Sequence, residues 1–161
     1  MSDLISALRV VEFFEGFADE HLQRVAAISR QVEFPAHHTI FHEDERAKEV
    51  YVILSGRVSL VYCAPRVGCR QLMEVGPGEL VGWSPLVGRA RLSDSAQTLS
   101  PTTVIAMDGE RILALCEENP RFGFEFMHRA AQTLASRVNA TREQVFKLNG
   151  ALLPEVQLES D

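Results

Sequence analysis

Short runs of β-branched and aromatic residues, separated by turn formers, dominate the middle of this chain and leave it little choice of architecture. Lys48 to Tyr62 reads KEVYVILSGRVSLVY, two such runs on either side of Ser55-Gly56. That spacing is a hairpin signal. Further apolar runs fall at Thr39–Phe41, Leu72–Val75 and Thr103–Met107, with turn residues at Pro65 to Gly68 and at Gly76 to Gly78. Strands this short, at this spacing, predict a closed roll of antiparallel strands rather than a parallel sheet. Helical periodicity is confined to the two ends.

Those ends supply the scaffold. Asp19 is read as an N-cap, and Leu22, Val25, Ala26 and Ile28 form an apolar stripe behind it. Phe13, Phe14 and Phe17 precede it as packing anchors. Asp108 is read as the cap of a helix that turns Ile112, Leu113, Leu115 and Cys116 inward and stops at Asn119-Pro120. In the last helix Met127, Ala131, Leu134, Val138, Thr141, Val145 and Leu148 step alternately by four and three. This is a 3.5-residue seam, the pattern of a helix that pairs with another helix. The alternative is an ordinary stripe packed on its own roll. Phe122, Phe124 and Phe126 lie just before the seam and can serve that packing instead, so the expectation is a twofold homodimer.

The segment Val75 to Ala96, VGPGELVGWSPLVGRARLSDSA, carries the densest chemical signal. Gly76-Pro77-Gly78 forces a turn, and Gly82 allows a close backbone approach. Ser84-Pro85 reads as an N-cap with proline at the first helical position. A helix start aims free N–H groups at one spot where an anion can sit, and Arg89 and Arg91 follow. The plain alternative is a surface loop between two strands.

The order of elements resembles the cyclic nucleotide-binding domain of the family that includes catabolite-activator and Fnr-type regulators and kinase regulatory subunits. The resemblance covers roughly Val11 to Gly150. It rests on FFEGFADEHLQRVA, YVILSGRVSLV, PGELVG, VIAMDGERILALCEENP and the long final helix. It implies a mainly β fold, a jelly roll (double-stranded β-helix), with N-terminal helices and a long C-terminal dimerisation helix. It also implies a ligand cassette over Gly78, Glu79, Gly82, Trp83, Ser84, Leu86, Arg89, Arg91, Ser93, Ser95 and Ala96. In the family a glutamate takes the ribose hydroxyl and an arginine pairs with the cyclic phosphate. Aligned here, those positions fall on Trp83 and Leu92. Leucine cannot replace an arginine fork, whereas Trp83 offers a ring to stack on a base or fill the pocket. Arg91 is one residue out of place, which in an extended segment sends it to the opposite face. The cassette is degenerate, so the ligand is expected to be changed or lost. No cofactor is assigned beyond a cyclic nucleotide or another anionic small molecule, with Arg137, Asn139 and Thr141 able to donate polar groups.

Composition narrows the function. The chain has 161 residues, a net charge of −6 and 46% hydrophobic residues, enough for one core. Residues 1–150 are read as the domain and 151–161 as a short acidic tail, with no room for the helix-turn-helix that follows in the family's transcription factors. The acidic balance also argues against direct nucleic-acid binding. No secretory signal or membrane-length apolar run is visible, so a cytoplasmic location is expected. Cys63, Cys69 and Cys116 lack zinc-type spacing, and reduced thiols are expected. A cupin-type metal site on His37, His38, His42 and Glu49 is the enzymatic alternative, but its second histidine position falls on Asp44 and its later histidine is missing. No G-x-S-x-G, H-E-x-x-H or P-loop motif occurs, and no catalysis is expected. What remains is a regulatory domain whose output is read by a separate effector protein, or a ligand-free interaction module with Trp83 and Leu92 filling the pocket.

Overall fold

The computed structural model describes residues 2–158, so Glu159 and Asp161 of the acidic tail lie outside the described residues. Helices α1 (Ser2–Val10) and α2 (Asp19–Ala27) precede eight strands. These are β1 (Ser29–Phe34), β2 (Thr39–Phe41), β3 (Glu49–Ser55), β4 (Val58–Ala64), β5 (Gly68–Val75), β6 (Leu80–Val81), β7 (Ser95–Thr98) and β8 (Thr102–Asp108). Helix α3 (Gly109–Glu118) and the 30-residue α4 (Pro120–Asn149) follow, and a 3-10 turn (Gly150–Leu152) comes after α4. The strands form two four-stranded sheets, β1-β8-β3-β6 and β2-β7-β4-β5, every pair antiparallel. The jelly roll with flanking helices is the observed fold.

The first sheet is covered on both sides, which explains its unbroken apolar runs. Side chains alternate across a strand. On β3, Val50 and Val52 join the helix-side core while Ile53 enters the core between the sheets. On β8, Ile105 and Met107 go to the helices and Val104 goes between the sheets. The helix-side core is built round Phe13, Phe14, Phe17, Phe122 and Phe126, in mostly edge-to-face contacts.

Several local readings need correction. Ser55-Gly56 does not close a hairpin. Strand β3 is flanked by β8 and β6, and β4 by β7 and β5, so the turn carries the chain from one sheet to the other. The N-cap of α2 is Ala18, and Asp19 is its first residue. Ser84 is likewise the first residue of a four-residue 3-10 turn capped by Trp83, which makes no side-chain cap bond. Phe124 is 71% exposed. It lies two residues from both Phe122 and Phe126, on the opposite face of a helix. Cys63 and Cys69 form a disulfide rather than free thiols. Cys63 and Cys69 flank the turn at Pro65 to Gly68, and the β4–β5 ladder sets them directly opposite each other. Asp108 does cap α3, accepting from the N–H of Arg111 at 2.9 Å.

Candidate ligand-binding site

A cavity of about 560 Å³ opens between the second sheet and α4, a size typical of small-molecule sites. Leu60 on β4 and Leu72 and Met73 on β5 form one wall, and Trp83 and Asp94 form the end. The facing wall is α4, through Leu134, Arg137, Val138, Thr141, Arg142 and Val145. The lining is predominantly hydrocarbon.

Of the three charged residues that line the cavity, Arg142 is exposed, and Arg137 and Asp94 are half-buried. Arg137 donates through Nη2 to the carbonyl of Leu80, while its Nε is buried without a hydrogen-bond partner. Burial pulls the guanidinium pKa below its ordinary value, opposed by Glu79 and Asp94. Burial pushes the Asp94 carboxyl above the usual carboxylate range; Arg137 works against this and Glu43 with it. Burial of charge without a close partner explains both directions. Asp94 was not singled out in sequence, because nothing local shows that α4 returns beside it.

The cassette residues separate. Trp83 lines the cavity, but Gly78 and Glu79 line a different, polar cleft with Arg57 and Arg129. Glu79 closes its own turn by accepting the Gly76 N–H at 2.6 Å. Gly82 (φ 71°) makes the close approach expected of it, since an added Cβ would lie 3.1 Å from Tyr51 and 3.3 Å from Phe41. The anion-binding helix start does not survive. Pro85 has no N–H, the Leu86 N–H donates to Trp83 O, and the Ser84 and Leu86 side chains are buried. Neither cassette arginine reaches the cavity. Arg91 donates to the Asp44 carbonyl at 2.6 Å, and Arg89 lies in a separate cleft beside Lys48 and the start of α3. Leu92 and Ala96 are buried between the sheets. Ser93 is half-buried, and Ser95 Oγ accepts the Glu43 N–H at 2.8 Å. Of the α4 donors, Arg137 and Thr141 line the cavity, while Asn139 is exposed and accepts from Arg142 at 2.8 Å.

The pairing seam is mixed in exposure. Met127 and Leu134 are half-buried, whereas Ala131, Val138, Thr141, Val145 and Leu148 are exposed. Among the described residues, no group of three or more His, Cys, Asp or Glu side chains is placed to hold a metal. No described helix is long and apolar enough to cross a membrane.

The family model for the cyclic nucleotide-binding domain matches residues 31–119, more than half of the chain. The chain belongs to the cyclic nucleotide-binding domain family. Among curated relatives of this domain is the CRP-like cAMP-activated global transcriptional regulator of Mycobacterium tuberculosis. It is 26% identical over 125 residues, an alignment covering 76% of this chain and 56% of the regulator. The chain thus spans about half the length of that relative. The catabolite activator protein of Thermus thermophilus is 27% identical, with a TM-score of 0.68 over 84% of this chain and 62% of that one. A cyclic nucleotide-binding domain from Methylobacillus flagellatus shares the fold at a TM-score of 0.79. It is 18% identical, with 97% and 86% of the two chains covered.

Two half-buried groups, Cys116 on α3 and Tyr51 on β3, give this domain an alkaline limit. Burial pushes the Cys116 thiol from 9.0 up to about 11, with a smaller contribution from Glu117. Burial likewise pushes Tyr51 from 10.0 up to about 12, with Glu49 adding to the effect. Both folded pKa values are raised, so the unfolded chain loses these protons first and stability falls as pH rises. Urea midpoints are expected to hold up to about pH 9 and to decline from there towards pH 12. In Cys116→Ala the decline should begin nearer pH 10.

Proposed function

We propose that this chain is a non-catalytic small-molecule sensor domain. In this reading it pairs with a second copy through α4 and reports ligand occupancy to a separate effector protein. The observation that carries the proposal is shared residues: Leu134, Val138, Thr141 and Val145 belong both to the pairing seam and to the cavity wall. A ligand touching them has differential contacts with the paired and unpaired helix, which a population shift requires. The relatives named above as cAMP-activated or cyclic nucleotide-binding support a ligand role for the fold. Phosphodiester recognition by Arg89 or Arg91 is not part of the proposal, because Arg91 is bonded to the Asp44 carbonyl and Arg89 lies in a separate cleft. A ligand-free module is the second reading, favoured by Leu92, which is only 6% exposed at the family's arginine position.

Sedimentation tests the pairing. Leu148 is 69% exposed and outside the cavity lining, so Leu148→Glu spares the fold. It would place a charge at a twofold seam and should weaken a dimer by roughly a hundredfold. A wild-type chain that stays monomeric at high concentration overturns the pairing. For the ligand, thermal stability is measured with and without cyclic AMP and cyclic GMP, since any ligand that favours the native state raises the transition. A rise abolished by Arg137→Gln supports the sensor reading.

A further inference from the structure

We infer that the cavity between the second sheet and α4 takes an amphipathic carboxylate, an apolar chain or ring whose single anionic head meets Arg137. This rests on the reading above that the cavity is a ligand site. Leu60, Met73 and Trp83 on one side and Val138 and Val145 on the other present hydrocarbon and ring surface. Burying an apolar body there is favourable at about 25 cal/mol per Å². A ribose in the same place would set its hydroxyls against walls with few partners, which is costly.

The head group follows from the unsatisfied charge. Arg137 spends Nη2 on Leu80 O, and its buried Nε has no partner. An anionic acceptor that meets the guanidinium from the cavity offsets the desolvation that burial imposes on it, and a guanidinium matches a planar carboxylate. Arg142, also on the lining, is exposed and tied to Asn139, so it adds little inside. Asp94 stands in the same wall. A doubly charged phosphate head would meet its repulsion twice over, whereas a monoanion balances Arg137 alone.

Trp83 is the chain's one tryptophan and lies in the cavity wall, so its fluorescence reads occupancy. The full chain would be titrated with decanoate and with 4-phenylbutyrate below micelle-forming concentrations. Each is compared with its carboxamide, and cyclic AMP forms a parallel arm. The expected result is saturable binding of both acids, about tenfold tighter than the amides. Arg137→Gln should erase that gap and leave amide binding unchanged. Equal affinity of acid and amide for the wild-type chain overturns the anionic head, whether or not the variant folds. Saturation by cyclic AMP alone preserves the ligand site but overturns the amphipathic class. No response to any probe overturns both.

Discussion

Gly56→Ala is expected to cost about 2–6 kcal/mol, the sum of backbone strain and overpacking. That is a large part of the 5–15 kcal/mol that typically holds a domain together. Gly56 sits at φ 99°, where side chains are strained, and an added Cβ would lie 2.6 Å from the Pro101 carbonyl oxygen and 2.7 Å from Thr102 Cα. Backbone cannot yield as a flexible side chain can. Gly88→Ala is the control: φ is 71°, but nothing lies within 4 Å of the added Cβ. It should lose only about 1 kcal/mol, the conformational cost alone. Urea denaturation of the pair separates strain from collision, and equal losses would show that the corner tolerates a side chain.

Phe126→Ala should cost about 3–5 kcal/mol through lost burial and a residual cavity. Phe126 is 0% exposed, with ring centroids 5.3 Å from Phe13 and 5.7 Å from Phe122. It joins the N-terminal 3-10 turn (Glu12–Phe14) to the first turns of α4. Phe124→Ala, two residues away and on the solvent side, should stay within about 0.5 kcal/mol. A thermal melt that ranks the two variants the other way would mean that α4 docks on a different face.

What the sequence made legible was local. Thr39–Phe41 is a strand with those bounds, and Thr103–Met107 lies within β8, which is apolar at successive positions because both its faces are covered. Asp108 was readable as a cap because its partner, the Arg111 N–H, is three residues away. Strand partners were not readable. Ser55-Gly56 has the same composition whether it closes a hairpin or crosses between sheets, and the distant β8 and β7 decide which. The site divided in the same way. Trp83 and the α4 face could be picked out by pattern. Asp94 and the role of Arg137 depend on α4 returning beside Leu80, a contact across 57 residues, and the cassette arginines were drawn off by Asp44 and by the cleft near α3.

The disulfide bears on the cavity as well as on the hairpin that carries it. From Gly68 to Leu72 every residue of β5 is exposed, so over this outer stretch no buried face fixes how the strand lies along β4, whereas Met73 and Val75 at its other end pack in the core between the sheets. The ladder also carries an irregularity between Leu60 and Val61, where slippage would start. The covalent link between Cys63 and Cys69 sets the alignment of that outer stretch and so reinforces the register that Met73 and Val75 hold by burial. Sliding β5 by one residue would turn Met73 away from the cavity and Glu74 towards it. The cross-link therefore acts as an index pin for the hydrocarbon wall, holding its composition constant from the far end of the ribbon.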